Sequence, residues 1–374
     1  MRDETSGSVL VLGGTGIIGT ELCVAAAARG LKVTAVARRH PRNPIPGVTY
    51  VSFDARSEAE GSSPIGGGDF DTVVDLVSFT PAQVEATLHA TKSRHYIFVS
   101  SATIYDGVSA GGLIHEQHAR VPSGSWLYPE RKIASEGWLV GAATDLDMPY
   151  TIVRPYITYS SRRFSFGMWE AAHVLQRLAN GVPTPIGDSI ASASTSLTHA
   201  TDMGRAIAAL LNNPAAHNRT MHISHPLSLT WQEVFDRSAF ALGARLDVVQ
   251  MSTDELVSEF SELGGRAADR SRGRAFDVSA FMTAVPDFTF SLPPHEGISD
   301  AVGRLSQREV GMLAARTQGR LDRLVRISRP TAPPASTEGW SVRDRLKYGV
   351  GRSRALSSVS RRLSSKTSSD YAVD

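Results

Sequence analysis

The sequence predicts an α/β chain, a doubly wound parallel sheet followed by a smaller, irregular C-terminal lobe. Three observations carry that expectation. Six short runs rich in Val, Ile, Phe and Tyr alternate with helix-like segments up to Pro155, the spacing that parallel strands joined by crossover helices require. The first run breaks directly into Gly13, Gly16 and Gly19, with two residues between successive glycines. Beyond Pro155 the rhythm becomes irregular.

Taken in order, Ser8 to Leu12 reads as a strand that turns at the glycines into an Ala-rich helix ended by Gly30. Leu31 to Ala37 forms a second strand, Val48 to Phe53 a third ending at Asp54, and Phe70 to Val77 a fourth, after a Gly/Ser-rich loop from Gly61 to Gly68. Pro81 opens a helix through Thr91, His95 to Val99 is a fifth strand, and Trp126 to Ala143 is a long helix that accommodates Pro129 in its first turn, where a missing N–H costs little. Pro149 to Pro155 is a sixth strand. Helices are then expected from Gly167 to Asn180 and from Asp202 to Asn212, with a Gly/Pro/Ser-rich loop between them up to Ser196. Thr230 and Glu233 form a capping box for a helix ended by Gly243. The expected domains are 1–155 for dinucleotide binding, 156–328 mainly for substrate, with some segments returning to the first core, and a Ser- and Arg-rich tail over 329–374 that is expected to be disordered.

Composition narrows the function. Residues from Glu338 onward carry a net +4 of the chain's formal +2, which leaves −2 in the remainder, so the folded body is not a basic nucleic-acid surface. No uncharged run approaches the roughly 18 residues of a membrane span, and the first residues lack a signal-peptide pattern, which points to the cytoplasm. The lone Cys23, on the apolar side of the first helix, excludes an internal disulfide and reads as core. No metal site is expected, since His115-Glu-Gln-His118 lacks the i, i+4 pair of a zinc helix; Glu116 reads as a loop residue or a pocket wall. His199, His222 and His225 read as structural or surface residues, and Trp169 as core or a substrate lid.

The chemistry lies in the glycine loop and in three later residues. Gly13 reverses the chain, Gly16 admits a pyrophosphate close to the backbone, and Gly19 lets the helix pack, so that helix N–H groups face the anion; this is a dinucleotide-binding pattern. Tyr128 and Lys132 are four apart and share one helix face. A phenol is a poor proton donor–acceptor at neutral pH, but a nearby ammonium favours the phenolate. Ser101, after the fifth strand, is placed to bind a substrate oxygen. No acidic residue ends the second strand to hold ribose hydroxyls; Ala37 stands there, followed by Arg38 and Arg39. NADP(H) is therefore expected over NAD(H), with Arg38 on the 2′-phosphate.

In this order along the chain, Gly13-Gly-Thr-Gly-Ile-Ile-Gly19, Asp54, Ser100-Ser-Ala-Thr-Ile-Tyr105, Tyr128 with Lys132, and Arg154-Pro155 resemble the extended and atypical short-chain dehydrogenase/reductases, also labelled NAD-dependent epimerase/dehydratase proteins. The resemblance covers about residues 8 to 300 and implies a Rossmann-type domain. It implies that Tyr128 is the general acid/base, Lys132 its ribose-binding partner and Ser101 the oxygen ligand. It further implies that Gly13, Thr15, Gly16, Ile17, Ile18 and Gly19 hold the dinucleotide, Asp54 meets the adenine, and the backbone at Leu76, Val77 and Pro155 lines the nicotinamide. Two departures narrow the reaction. Ala102-Thr103 replaces the Asp-Glu pair of sugar-nucleotide dehydratases, and Thr195 replaces the Arg that sugar-nucleotide enzymes use for a pyrophosphate, leaving Arg162 or Arg163 as substitutes. The expected function is reduction of a ketone, or oxidation of a secondary alcohol, on a polar, sugar-like or secondary-metabolite substrate. The alternatives are a sugar or nucleotide-sugar epimerase and a non-catalytic dinucleotide sensor or RNA-associated protein. The expected partners are a small-molecule substrate and a second copy of the chain, without nucleic acid.

Overall fold

A computed structural model of the chain describes residues 7–54, 68–107, 112–120, 126–306, 315–338 and 340–353. It divides into two compact units, the first made of residues 1–162, 193–229 and 268–297, the second of residues 163–192, 230–267 and 298–374.

The first unit contains a seven-stranded sheet in which every neighbouring pair is parallel. Its strands are β1 (Ser8–Leu12), β2 (Lys32–Ala37), β3 (Val48–Ser52), β4 (Thr72–Asp75), β5 (Tyr96–Val99), β6 (Tyr150–Pro155) and β7 (Arg219–Ile223), in the order β7-β6-β5-β4-β1-β2-β3. Its principal helices are α1 (Ile17–Ala28), α2 (Pro81–Ala90), α3 (Leu127–Asp145) and α4 (Ala200–Leu210). Alternate strand residues feed two cores. Val9, Val11, Val74 and Val153 pack with Leu22 and Cys23 of α1 and Met203 and Ile207 of α4, while Leu10, Leu12, Val73 and Ile152 pack with Val84 of α2 and Leu139 of α3. Cys23 is fully buried there, and burial pushes its thiol up to about 12, so it is a core residue and not a reactive one.

Several elements differ from expectation for identifiable reasons. The expected fourth strand is two strands broken at Asp71, whose carboxylate accepts the Ser8 N–H at 2.8 Å; Gly68–Phe70 pairs instead with Thr91–Ser93. That strand ends at Asp75 and not at Val77, because the Asp75 carboxylate accepts the N–H groups of Val77 and Ser78, both at 2.9 Å, and turns the chain. β7 was hidden in the irregular half. The remainder of the Gly61–Gly68 loop lies outside the described residues.

In the second unit, the helix expected from Gly167 begins only at Ala171. Gly167, at φ +61°, turns a short hairpin that pairs Ser165–Phe166 with Trp169–Glu170. Trp169 is buried and its indole N–H donates to the Pro185 carbonyl at 2.9 Å, a core role. The segment expected to be a loop up to Ser196 contains strands Thr184–Gly187 and Ser194–His199, the latter in the first unit. The capping box at Thr230 and Glu233 is present, and Gly243 ends that helix at φ +63°. The tail also departs from its expected disorder, since Val342–Arg352 is a helix. Gly351 and Gly319 let this helix and Ala315–Ser328 touch backbone to backbone: a Cβ on Gly351 would lie 2.1 Å from the Arg316 carbonyl oxygen. Buried Asp322 anchors the pair, binding Arg177 at 2.7 Å and accepting the Tyr348 hydroxyl. Residues 354–374, with the rest of the basic tail pattern, lie outside the described residues. Among the described residues no helix is long and apolar enough to cross a membrane.

Candidate active site

The glycine turn is tied to the end of β2, with the N–H groups of Gly13 and Gly14 donating to the Val36 carbonyl at 2.8 and 3.1 Å. Gly13 sits at φ +86°, which a side chain disfavours, and a Cβ on Gly19 would lie 2.2 Å from the Gly13 oxygen. The turn thus needs both glycines to fold back onto α1. Gly16 is the N-cap of α1 and offers no capping side chain, and the first turn, which includes Ile17 and Ile18, holds no acid. These first-turn N–H groups therefore keep both their hydrogen-bonding capacity and the positive end of the helix dipole, and the loop fits a diphosphate. Thr15 turns its carbonyl toward Arg162, which donates to it at 2.8 Å and to the Thr20 hydroxyl at 3.1 Å. Arg163 is paired with Glu170 at 3.2 Å.

The other cofactor candidates lie at the C-terminal edge of the sheet, where parallel sheets bind ligands. Arg38, Arg39 and His40 are exposed directly after β2, and Asp54 is exposed just past the paired strand β3. The Leu76 N–H donates to the Leu12 carbonyl at 3.2 Å, and the Val77 side chain faces Gly13. Pro155 closes β6 and is buried.

Lys132 is 2% exposed on α3, and its ammonium donates to the carbonyls of Ser78 and Val99, each at 2.8 Å. It therefore bridges the chain just past β4 to the end of β5. The Phe79 and Phe98 rings lie 4.9 and 4.6 Å from it. Burial pushes its pKa down to about 8, against the opposing pull of Asp75 and Glu136. One turn earlier, Tyr128 is partly buried, its ring 5.8 Å from Phe79 and 5.6 Å from Trp126. Phe79 thus contacts both members of the pair. Ser101 follows β5 by two residues, is buried, and its Oγ lies 3.0 Å from the Thr103 hydroxyl while accepting the Thr103 N–H.

Sequence reasoning missed the neighbours that hold these residues. Ser78 and Phe79 carried no assigned role, and Arg154 was a motif without a function. Arg154 forks onto buried Glu136, one turn beyond Lys132, at 2.9 and 2.6 Å, and also donates to the Tyr105 hydroxyl and the Glu116 carbonyl. Buried His222 donates from Nδ1 to the Asp277 carbonyl at 3.0 Å, so its Nε2 accepts from Tyr105 at 2.9 Å; burial lowers its pKa to about 4 and keeps it neutral. Glu116 accepts the His222 N–H at 2.9 Å, which makes it a brace of this network and not a solvated loop residue. The signal available beforehand was Glu136 on the stripe of Tyr128 and Lys132. His199 caps α4 by accepting the Thr201 N–H, and His225 accepts the Leu227 N–H, both structural roles.

Comparison with known proteins identifies the family and agrees with the fold. The model of the NAD dependent epimerase/dehydratase family matches residues 9–224. A 2'-dehydrokanamycin reductase from Streptomyces kanamyceticus is 25% identical over 316 residues, covering 83% of this chain and 88% of that protein. In fold, the chain is similar to a UDP-glucuronic acid 4-epimerase from Bacillus cereus in complex with NAD, with TM-score 0.61 and 16% identity over 80% of this chain and 99% of that one. It is equally similar to MoeE5 in complex with UDP-glucuronic acid and NAD, with TM-score 0.61 and 20% identity over 80% of this chain and 99% of that one. Since the family model spans more than half of its length, the chain belongs to the NAD dependent epimerase/dehydratase family and is an NAD(P)-dependent enzyme of the oxidoreductase or epimerase type.

Proposed function

We propose that the chain is an NADP(H)-dependent reductase of a polar, sugar-like or secondary-metabolite ketone, with Ser101, Tyr128 and Lys132 as its catalytic residues. The observation that carries this reading is the buried Lys132 ammonium, fixed by two carbonyls at the sheet edge with Tyr128 one turn away and Ser101 just beyond the same strand. A non-catalytic sensor needs none of these three. Reduction fits a 2'-dehydrokanamycin reductase among the relatives. A nucleotide-linked epimerase substrate fits less well: Thr195 replaces the expected cation, Arg162 is engaged by the glycine loop, and Arg163 by Glu170.

The bound dinucleotide supplies the hydride that converts the carbonyl carbon to a carbinol. Ser101 Oγ hydrogen-bonds the substrate oxygen, and Tyr128 Oη gives it a proton that solvent later restores. The Lys132 charge stabilises the resulting phenolate, and its remaining N–H is available to a ribose hydroxyl. Gly13, Thr15, Gly16, Ile17, Ile18 and Gly19 would hold the pyrophosphate, Asp54 the adenine, and the backbone at Leu76, Val77 and Pro155 the nicotinamide. Residues 156–328 would mainly form the substrate lobe, with 193–229 and 268–297 grouped with the first unit.

Arg38 would bind the 2′-phosphate in a two-pronged contact. Calorimetry should therefore give tighter binding of NADP(H) than of NAD(H). Arg38→Ala should weaken NADP(H) by about ten-fold or more, as loss of a charge-assisted hydrogen bond does, and leave NAD(H) nearly unchanged. Tighter NAD(H) binding, or an unaltered NADP(H) affinity in Arg38→Ala, would reverse the cofactor assignment.

A further inference from the structure

Arg162 is exposed, yet its guanidinium is anchored by two hydrogen bonds, to the Thr15 carbonyl at 2.8 Å and the Thr20 hydroxyl at 3.1 Å. Both partners are uncharged, so neither bond compensates the guanidinium charge. The one acid of α1, Glu21, instead accepts the Thr201 hydroxyl at 3.0 Å. Thr15 immediately precedes Gly16, the uncapped N-terminus of α1. An unmasked Thr15 carbonyl would turn partial negative charge toward an anion bound there, and the guanidinium cancels it. Five N–H groups in a rigid fork leave donors over after these two bonds.

We propose that Arg162 is a ligand of the cofactor's pyrophosphate, closing over the glycine loop a side of the anion that the backbone N–H groups do not reach. This rests on the dinucleotide-binding reading above. It also assigns to the cofactor the arginine that the sequence offered as a substitute for a substrate-pyrophosphate ligand. Arg162 then sets phosphate affinity independently of Arg38, which serves the 2′-phosphate.

Affinities of the full chain and of its Arg162→Ala and Arg162→Lys variants should be measured by calorimetry for three probes: NADPH, ADP-ribose, which keeps the pyrophosphate, and 2′-AMP, which lacks it. Arg162→Ala should weaken NADPH and ADP-ribose by about 10- to 100-fold, in line with a lost charge-assisted contact, and should leave 2′-AMP within about two-fold. Arg162→Lys should lose less, since it keeps the charge without the fork. An unchanged ADP-ribose affinity in Arg162→Ala overturns the proposal. So does an equal loss for all three probes, since 2′-AMP has no pyrophosphate for Arg162 to bind, and a loss confined to NADPH and 2′-AMP, which would assign Arg162 to the 2′-phosphate. Failure of the unaltered chain to bind either NADPH or ADP-ribose removes the dinucleotide reading itself, an outcome separate from a loss confined to the variants.

Discussion

Tyr128→Phe should lower turnover by about 10²- to 10⁴-fold, the contribution of a single general acid/base, while dinucleotide affinity stays within a few-fold and the melting temperature is unchanged. The substitution removes only the hydroxyl, and the ring keeps its contacts with Phe79 and Trp126. Lys132→Ala should instead weaken both turnover and cofactor binding, because the ammonium would serve the phenolate and the ribose alike. A pH series separates the two residues. Burial holds Lys132 near a pKa of about 8, so its charge is present below that value and lost as pH rises through it. Dinucleotide binding by Tyr128→Phe, in which no phenol titrates at that position, should weaken above pH about 8. Normal turnover in Tyr128→Phe would remove Tyr128 from the catalytic set.

Arg154→Met should cost about 3–5 kcal/mol of stability, because it leaves the Glu136 carboxylate buried without its main partner. Arg120 reaches the same carboxylate from a half-exposed position at 3.4 Å and does not replace a bidentate buried fork. The melting temperature should fall by something on the order of 10 °C. Arg154→Met combined with Glu136→Leu should recover most of the loss, since an apolar pair of similar bulk removes the stranded charge. If the single variant melts as the unaltered chain does, the network is not what fixes this face of α3.

The first six strands and α1 to α3 were legible because their apolar runs are short, regular and bounded by Gly, Pro or Asp. β7 was not, because buried His222 breaks its apolar pattern and is satisfied by Tyr105, Glu116 and Asp277, residues far away in the chain. The hairpin at Gly167 is obscured because its two strands are only two residues long and Phe164, Phe166 and Met168, though they alternate, run directly into Trp169 and the helix from Ala171, with both faces buried. In the tail, glycines that look like helix breakers are the contact points of a close helix crossing. The order of glycine loop, Ser101, Tyr128 and Lys132 was visible along the chain. What holds Lys132 was not, since its partners are backbone carbonyls and aromatic rings contributed by two other strand ends.

Hydride transfer itself tests the central claim most directly. The purified chain should be incubated with NADPH carrying deuterium at the transferable C4 position and with a panel of polar, sugar-like ketones, and the product carbinols analysed by mass spectrometry. The account predicts one deuterium per product molecule at the former carbonyl carbon, matched by equal loss of the reduced-nicotinamide absorbance, and neither in Tyr128→Phe. Protein that retains a non-exchanging dinucleotide through purification and interconverts stereoisomers without taking up label or changing that absorbance would contradict it and identify an epimerase.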